Sequence, residues 1–404
     1  MKGRNTGFAF AGVVVLLILI LLGRYALREI PPEPTTAQTE AAKPELQRRA
    51  RSTSPHAELT DETPASQLEE SAVTNAATLY RLAFALYDAL SKEEKALLTS
   101  WPTNINATVE AELCNKIRPI CDIMHQAVAV TNCDWGVEPL TLETPLRFLT
   151  SARNLARTAA WSAAHCHSND PTLAAEDVLS TLQLGQHVSQ VAIIGCLVDI
   201  AIQGISFYSM ASNLNSFRGE DAQRLAAAIA DSSYAQAPAR AMEQEAAMLD
   251  RRVAEWASLS PDEFKNIEFN GMDGPLEIDQ AAALAVLQQI ADSERQLAKA
   301  LASGSEAEYQ AWLRESDELQ QSNSLAKLFL AGYDRFVDKV QRATITREMT
   351  IAALAVVDAG TDALMSHPDP ATGQPFVYTP TADGFELQSG YQLTNGVPLK
   401  MQFK

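Results

Sequence analysis

The feature that most constrains this chain is an uncharged apolar run near its N-terminus. Residues 7–23 carry no charged side chain and include the stretch VVVLLILILL. At about 1.5 Å per residue, a helix over this run would be about 25 Å long, slightly shorter than the hydrocarbon core of a bilayer. Tyr25 and the long side chains of Arg24 and Arg28 can extend the span at the interface. The run therefore predicts a transmembrane anchor over residues 1–29.

A cleaved signal peptide is the alternative interpretation of the same run. The run is longer than a typical signal-peptide core, and residues 24–27 (Arg-Tyr-Ala-Leu) lack the small-residue pattern of a cleavage site. An uncleaved anchor is therefore favoured. The charge bias around the run is slight, but a very short tail before a first apolar segment most often stays in the cytoplasm. We expect a single-pass protein of the cytoplasmic (inner) membrane with its body outside the cytoplasm.

The chain after the anchor divides into three further segments. Residues 30–66 hold six of the 19 prolines and no aromatic residue, which is typical of a flexible tether without a core. Residues 67–360 are expected to form an all-α extracytoplasmic body. Residues 361–404 are expected to form a small C-terminal β-hairpin unit.

The charge of the body argues against nucleic-acid binding. Net charge is −18, and residues 1–66 contain eight Lys and Arg against seven Asp and Glu. The remainder therefore contains 24 basic and 43 acidic residues, a balance of −19. Because such a body repels phosphate backbones, we expect no nucleic-acid partner. The expected partners are the membrane, through the single N-terminal helix, and another protein of the cell envelope.

Apolar spacing and capping residues predict helices throughout the body. Ser91 followed by Glu94 forms a capping-box pattern, and Asp170 before Pro171 is typical of a helix start. The residues on both sides of this start predict an αα-hairpin, 143–168 with 171–188, and a third antiparallel helix follows. The expected fold is mostly α, with antiparallel helix pairs in a bundle or a curved α-solenoid.

The segment 188–205 is nearly apolar on all sides and could be a second membrane span. It contains Asp199 near its centre and Gln203 close by. A charged residue in the middle of a bilayer costs about 3 kcal/mol. We therefore expect a core helix of the body.

The last 40 residues change character. Pro368, Pro370, Pro375 and Pro380 disfavour helix, and two apolar triplets flank a turn that contains Asp383 and Gly384. This pattern predicts a β-hairpin, with a third strand over residues 397–403.

Two groups of landmarks carry a resemblance to known proteins. The strings NAATLY at 75–80, CDWG at 133–136 and ARNLAR at 152–157 occur in this order before the αα-hairpin and the apolar helix. In this respect residues 70–215 resemble a family of exported helical proteins from environmental bacteria. The resemblance implies an exported location and a helical architecture, and it implies no activity.

The C-terminal sequence resembles a second family. DPATGQPFVY at 369–378 and ADGFEL at 382–387 look like the C-terminal hairpin of type II secretion pseudopilins. The basic leader and the Gly7-Phe8 junction also fit that family, but Gly12 stands where pseudopilins carry a glutamate. The resemblance therefore covers the leader junction and the hairpin, but not this glutamate position.

Three short motifs contain chemically capable residues. Cys121 and His125 are spaced i, i+4, and His165, Cys166 and His167 are consecutive. Either set could hold a soft metal, but helix-packing and helix-terminal roles are the simpler interpretation, so we expect no metal and no cofactor. The third motif, 324–327, matches the S-x-x-K pattern of penicillin-recognising enzymes. The K-T-G element that such enzymes need is missing from the chain, and catalytic residues stay unassigned.

Charged residues in the helical hairpin suggest a structural network. Arg153 and Arg157 lie one turn apart, and Asp177 and Asp199 are available on the next two helices. We expect a buried ion pair between Asp199 and Arg153, Arg157 or both.

The five cysteines allow one or two disulfides if the body is exported. Helix geometry separates Cys166 from Cys196, whereas Cys133 lies in a loop that can fold back. We expect a bond from Cys133 to Cys121 or to Cys114, which leaves Cys166 free.

These observations favour a membrane-anchored extracytoplasmic scaffold or protein-interaction module over an enzyme, and they leave enzymatic activity open. A pseudopilin-like component of an envelope or secretion assembly is the alternative. A hydrolase whose site the sequence does not reveal is the third.

Overall fold

The computed structural model describes residues 73–101, 105–137, 140, 144–265, 267 and 278–404. The predicted anchor and tether lie outside this part of the chain. The described residues are mostly helical and end in a three-stranded antiparallel sheet. The predicted fold class is thus confirmed in its coarse form.

Helices make up most of the described body, and the strands of the sheet follow them. The first half contains α1 (Ala76–Asp88), α2 (Lys92–Ser100), α3 (Ala107–Val128), α4 (Phe148–Trp161), a π-helical turn (Ser162–Cys166), α5 (Pro171–Val188), α6 (Ala192–Ser212) and a 3-10 turn (Leu214–Ser216). The second half contains α7 (Glu220–Ile229), α8 (Ser232–Ala257), α9 (Pro261–Lys265), α10 (Gln280–Ser303), α11 (Glu306–Ser322), α12 (Ser324–Leu330), α13 (Tyr333–Ala359), a 3-10 turn (Thr361–Ser366), β1 (Val377–Thr381), β2 (Gly384–Gln392) and β3 (Pro398–Phe403).

Local capping fixes where several helices begin. Ser91 and Glu94 form the predicted capping box at the start of α2. The Asp170 carboxylate accepts a hydrogen bond from the Leu173 backbone N–H, and Pro171 is the first residue of α5. Both predicted helix starts are therefore confirmed. Pro119 lies inside α3, which continues through it to Val128.

Helix α6 lies between other helices of the body. It packs against α4, α5, α8 and α13. Among the described residues, α6 alone is long and apolar enough to cross a membrane, and 56 % of its most apolar window is buried within the protein. Its packing on four other helices agrees with the prediction of a core helix.

The C-terminal sheet shares a core with the helices. Phe207 of α6 and Met349 of α13 belong to the same buried apolar cluster as Leu387 of β2 and Phe403 of β3. The backbone N–H of Lys404 also donates to the carbonyl oxygen of Ala211 at 2.7 Å. The chain directly after β3 is therefore hydrogen-bonded to the C-terminal end of α6.

The predicted hairpin is present. Thr381 pairs with Gly384, so Ala382 and Asp383 form a two-residue turn between β1 and β2, and β3 pairs with the other side of β2. The third strand predicted over 397–403 is observed as β3. Strand β1 lies at the edge of the sheet and contains Pro380, which has no N–H to offer a further strand.

Candidate functional site

A group of ionisable side chains surrounds Asp177 on α5. The Asp177 side chain is fully buried, and its two carboxylate oxygens accept hydrogen bonds from two imidazoles. Nε2 of His125 lies 2.9 Å from Oδ1, and Nδ1 of His167 lies 2.8 Å from Oδ2. We call these three residues together with Cys121 the Asp177 cluster.

The cluster joins three elements of the chain. His125 comes from α3, and His167 follows the π-helical turn after α4. Both imidazoles are mostly buried, with 23 % and 19 % of their side-chain surfaces exposed. Two motifs that are separate in the sequence therefore meet at one carboxylate on a third element.

The Asp177 carboxylate changes the basicity of one imidazole. Its hydrogen bond raises the pKa of His167, and the charges of Asp177 and Asp170 act in the same direction. Burial and the nearby Arg118 oppose this rise without cancelling it. His167 is therefore a better proton acceptor than an ordinary histidine.

Cys121 contributes a thiol to the same cluster but not a nucleophile. Burial raises the pKa of Cys121 well above its ordinary value, and the Asp177 charge raises it further. Because the thiolate is the reactive form, a thiol that stays protonated is inert. Cys121 thus serves as a small apolar side chain.

The structure corrects the predicted disulfide. Cys114 on α3 is bonded to Cys166 in the π-helical turn, with the two Cα atoms 5.5 Å apart, while Cys121 and Cys133 are buried free thiols. The predicted Cys121–Cys133 bond fails because the loop around Cys133 is held against α1. Its neighbour Asp134 accepts from Asn75 and donates to it.

His165, Cys166 and His167 all bond the π-helical turn region to other helices. Nδ1 of His165 lies 2.9 Å from a carboxylate oxygen of Glu110, and its ring stacks on Trp161. Cys166 is bonded to α3, and His167 is bonded to α5. These three neighbours therefore contact two helices, α3 and α5.

The chemistry available at the cluster is proton exchange. A carboxylate that orients an imidazole is the arrangement by which histidine acts as a general base. Such a base also needs a nucleophile or a reacting proton within about 3 Å. The hydroxyl groups near the cluster, on Ser162, Ser180 and Thr181, are buried, and the Cys121 thiol stays protonated. The arrangement therefore supports a structural role, in which the cluster joins three elements, more strongly than a catalytic one.

Within the part of the chain that the structure describes, no group of three or more His, Cys, Asp or Glu side chains is arranged to hold a metal ion. The two sequence motifs considered as soft-metal ligands are instead used in hydrogen bonds and in the disulfide.

The structure also corrects the predicted partners of Asp199. Asp199 is buried, 2 % exposed, and its Oδ2 accepts from Nε2 of Gln203 at 3.0 Å. The cationic side chains that act on it are Arg347 and Arg240, in place of the expected Arg153 and Arg157. The buried face of α4 includes Ala152, Leu155, Ala156 and Ala159. Arg153 and Arg157 follow Ala152 and Ala156 in sequence. Each arginine side chain is therefore rotated about the helix axis by about 100° from a buried alanine.

The S-x-x-K motif lies at the protein surface. Ser324 and Lys327 line an open groove of about 440 Å³ together with Asp317, Gln320 and Gln321. Ser324 is the first residue of α12, which packs on α10 and α11, two helices far from the sheet in sequence. The strand that penicillin-recognising enzymes place beside this motif is not among the described neighbours of α12.

The sequence analysis did not predict the roles of two buried carboxylates. Asp177 was expected to pair with arginine, and Glu294 on α10 was not singled out. A signal was present for Glu294, since it continues the apolar stripe of Leu287, Ile290, Ala291 and Leu297 at helical spacing. A carboxylate on such a stripe predicts burial.

Comparison with known proteins gives no further assignment. No protein family matches the chain, and no curated protein or solved structure is significantly similar to it.

Proposed function

We propose that this chain is a membrane-anchored extracytoplasmic scaffold that presents a helical body to another protein of the cell envelope. In this proposal, a single N-terminal helix holds the protein in the cytoplasmic membrane, and antiparallel helix pairs form the body. The observation that carries the proposal is the disulfide between Cys114 and Cys166. Disulfides persist in oxidising compartments and are rare in the cytoplasm.

The use of the ionisable side chains supports a scaffold. His125, His165 and His167 are each bonded to a carboxylate on another element, and these contacts join α3, the π-helical turn region and α5. The three free thiols, on Cys121, Cys133 and Cys196, are buried. The three histidines thus join helices, and the three free thiols are shielded from solvent.

Topology and oxidation state test the proposal in one experiment. A periplasmically active reporter fused after Lys404 should be active, and the same site fused to a reporter that works only in the cytoplasm should be silent. Thiol alkylation of protein taken directly from cells, denatured without reductant, should modify three cysteines. Modification of all five, or activity of the cytoplasmic reporter, would place the body in the cytoplasm and refute the proposal.

A pseudopilin-like component of an envelope assembly is the second candidate. The three-stranded C-terminal sheet favours it, because the strands form where the resemblance implies a hairpin. The N-terminus of the mature protein distinguishes the two functions. A chain that begins at Phe8 would indicate pseudopilin processing, whereas retention of residues 1–7 would support the anchored scaffold.

A further inference from the structure

Helix α4 ends in a π-helical turn, Ser162–Cys166, in place of a further α-helical turn. The backbone N–H of His167 donates to the carbonyl oxygen of Ser162 at 3.0 Å, an i to i−5 hydrogen bond. In an α-helix, Cys166 would supply the donor to this oxygen. The π-helical turn therefore accommodates one residue more than an α-helical turn, and such turns are rare and frequently lie at functional sites.

Two side-chain contacts bind this turn to one face of α3. Glu110 and Cys114 lie one helical turn apart on that face. Nδ1 of His165 lies 2.9 Å from Oε1 of Glu110, and both side chains are partly exposed. Cys166 is bonded covalently to Cys114. Because a partly exposed ion pair contributes little to stability, the disulfide is the stronger of the two contacts.

The arrangement leaves a buried polar group unpaired beside the turn. Trp161, the last residue of α4, is fully buried, and its indole N–H has no acceptor among the described residues. Its ring stacks on that of His165, with the ring centroids 4.4 Å apart. A buried donor without an acceptor costs free energy. The end of α4 therefore needs a contact that offsets this cost, and the disulfide supplies one.

The sulfur atoms of the disulfide belong to partly exposed residues. Cys114 and Cys166 are both half-buried. The free thiols of Cys121, Cys133 and Cys196 are buried. Access is one of the factors that determine how fast a thiolate attacks a disulfide. Among the described cysteines, the bonded pair is therefore the one that a reductant in solution reaches first.

We propose that the Cys114–Cys166 disulfide is a redox switch that holds residues 162–166 in the π-helical conformation. A dithiol outside the protein reduces the bond in two steps. One of its thiolates breaks the S–S bond and forms a mixed disulfide, and its second thiol then displaces the protein sulfur. Two electrons and two protons thus pass to the cysteines, and the dithiol becomes a disulfide. The carbonyl oxygen of Ser162 then accepts from the N–H of Cys166, and the turn continues α4 as an α-helix.

The change from a π-helical to an α-helical turn moves the residues after it. A register that differs by one residue rotates them by about 100° about the helix axis. His165 then leaves Glu110, and His167 leaves Asp177, whose Oδ2 lies 2.8 Å from its Nδ1 in the oxidised protein. The switch goes beyond the proposed scaffold role, because it makes the contact between α3 and α5 depend on the thiol–disulfide balance around the protein.

The test titrates the histidine rings of purified full-length protein by NMR, before and after reduction with dithiothreitol. In the oxidised protein, the hydrogen bond with Asp177 raises the pKa of His167. We expect reduction to lower the His167 midpoint to that of the oxidised Asp177→Asn variant, and to have no further effect in that variant. The His187 midpoint should stay at about 4 in both redox states, because the rest of α5 remains folded.

Deletion of Ala164 tests the change of helical register. The shortened segment forms an α-helix while the residues from His165 onward keep their places, so the His167 midpoint should stay high after reduction. Ala164→Ser keeps the length of the turn at a partly exposed position and should respond like the wild type.

The proposal fails if reduction leaves the wild-type His167 midpoint unchanged, or if the fall persists in Asp177→Asn. It also fails if the His187 midpoint moves together with that of His167, because reduction would then loosen the whole of α5. A fall of the wild-type size in the deletion variant would refute the change of register.

Discussion

The carboxylate of Asp199 on α6 occupies the space beside Gly185 on α5. A Cβ atom built on Gly185 would lie 2.3 Å from Oδ1 of Asp199 and 3.4 Å from a methyl group of Ile202. Glycine at this position therefore allows α5 and α6 to approach with a carboxylate between them. The approach also buries Asp199, and burial raises the pKa of its carboxyl to about 7.

Gly185→Ala should destabilise the protein because its methyl group must displace a buried carboxylate. We expect the free energy of unfolding to fall by about 1–3 kcal/mol, the usual cost of an overpacked core. The matched control is Gly204→Ala on α6, where, among the described residues, no atom beyond the adjacent helix backbone lies within 4 Å of the new Cβ. That substitution should stabilise by up to about 1 kcal/mol through helix propensity. Denaturant unfolding of both variants measures the difference, and equal effects would contradict the close approach at Gly185.

The buried imidazole of His187 should make the protein sensitive to acid. His187 lies 3.0 Å from the Tyr80 hydroxyl and 3.0 Å from Nε2 of Gln183, and burial lowers its pKa from 6.5 to about 4. A histidine with a lowered folded-state pKa contributes stability above pH 6.5, and this stability is lost as the pH falls through 4. The loss by pH 4 should be about 3 kcal/mol.

The measurement compares the wild type with His187→Gln by denaturant unfolding from pH 7 to pH 4. Buried carboxylates titrate in the same range with the opposite sign, since Asp199 and Glu245 are most stabilising when protonated. They are present in both proteins and cancel in the difference. A difference that stays constant over this pH range would show that His187 is not buried in its neutral form.

The disulfide should stabilise the body substantially. It links residues that are 52 apart in sequence, and closing a loop of this length in the unfolded chain contributes about 4 kcal/mol. Reductant should therefore lower the melting temperature of the wild type and have no effect on a Cys114→Ala, Cys166→Ala double variant. Cys133→Ala, which removes a free thiol, should keep the wild-type response. A response to reductant that survives in the double variant would mean that other cysteines are paired.

Asp177→Asn should lower the basicity of His167, because the hydrogen bond from Asp177 is the main cause of its raised pKa. The raised pKa stabilises the folded state below the ordinary histidine range, and this contribution is lost as the pH rises through the folded-state value. An NMR titration of the His167 ring should show a lower midpoint in the variant. Glu110→Gln, which alters the partner of His165 alone, should leave the His167 midpoint unchanged.

Local sequence signals were sufficient for individual elements. The capping residues Ser91 and Asp170 marked the starts of α2 and α5, and the turn at Asp383 marked the hairpin. These features depend on residues that are neighbours in the chain, so a short window of sequence contains the relevant interactions. The predicted core position of 188–205 rested on the cost of an aspartate within a membrane.

Local sequence signals did not predict which residues the ionisable side chains and the cysteines pair with. The sequence offered Asp177 and Asp199 as partners for two arginines, and it offered Cys133 as a partner for Cys121. The structure pairs Asp177 with His125 and His167, and it pairs Cys114 with Cys166. Each of these choices depends on how α3, α4 and α5 are rotated about their axes, which is set by packing of their apolar stripes.

The sequence by itself determined that the body is helical, that its last residues form a hairpin, and which turns and caps separate the elements. Those features follow from backbone preferences and from apolar spacing along the chain. The tertiary structure alone decided that one buried carboxylate would bind two histidines, and that Cys114 would pair with Cys166. Charged groups in the interior take whichever partners the packed helices bring within hydrogen-bonding distance, and that distance is set by contacts between residues far apart in sequence.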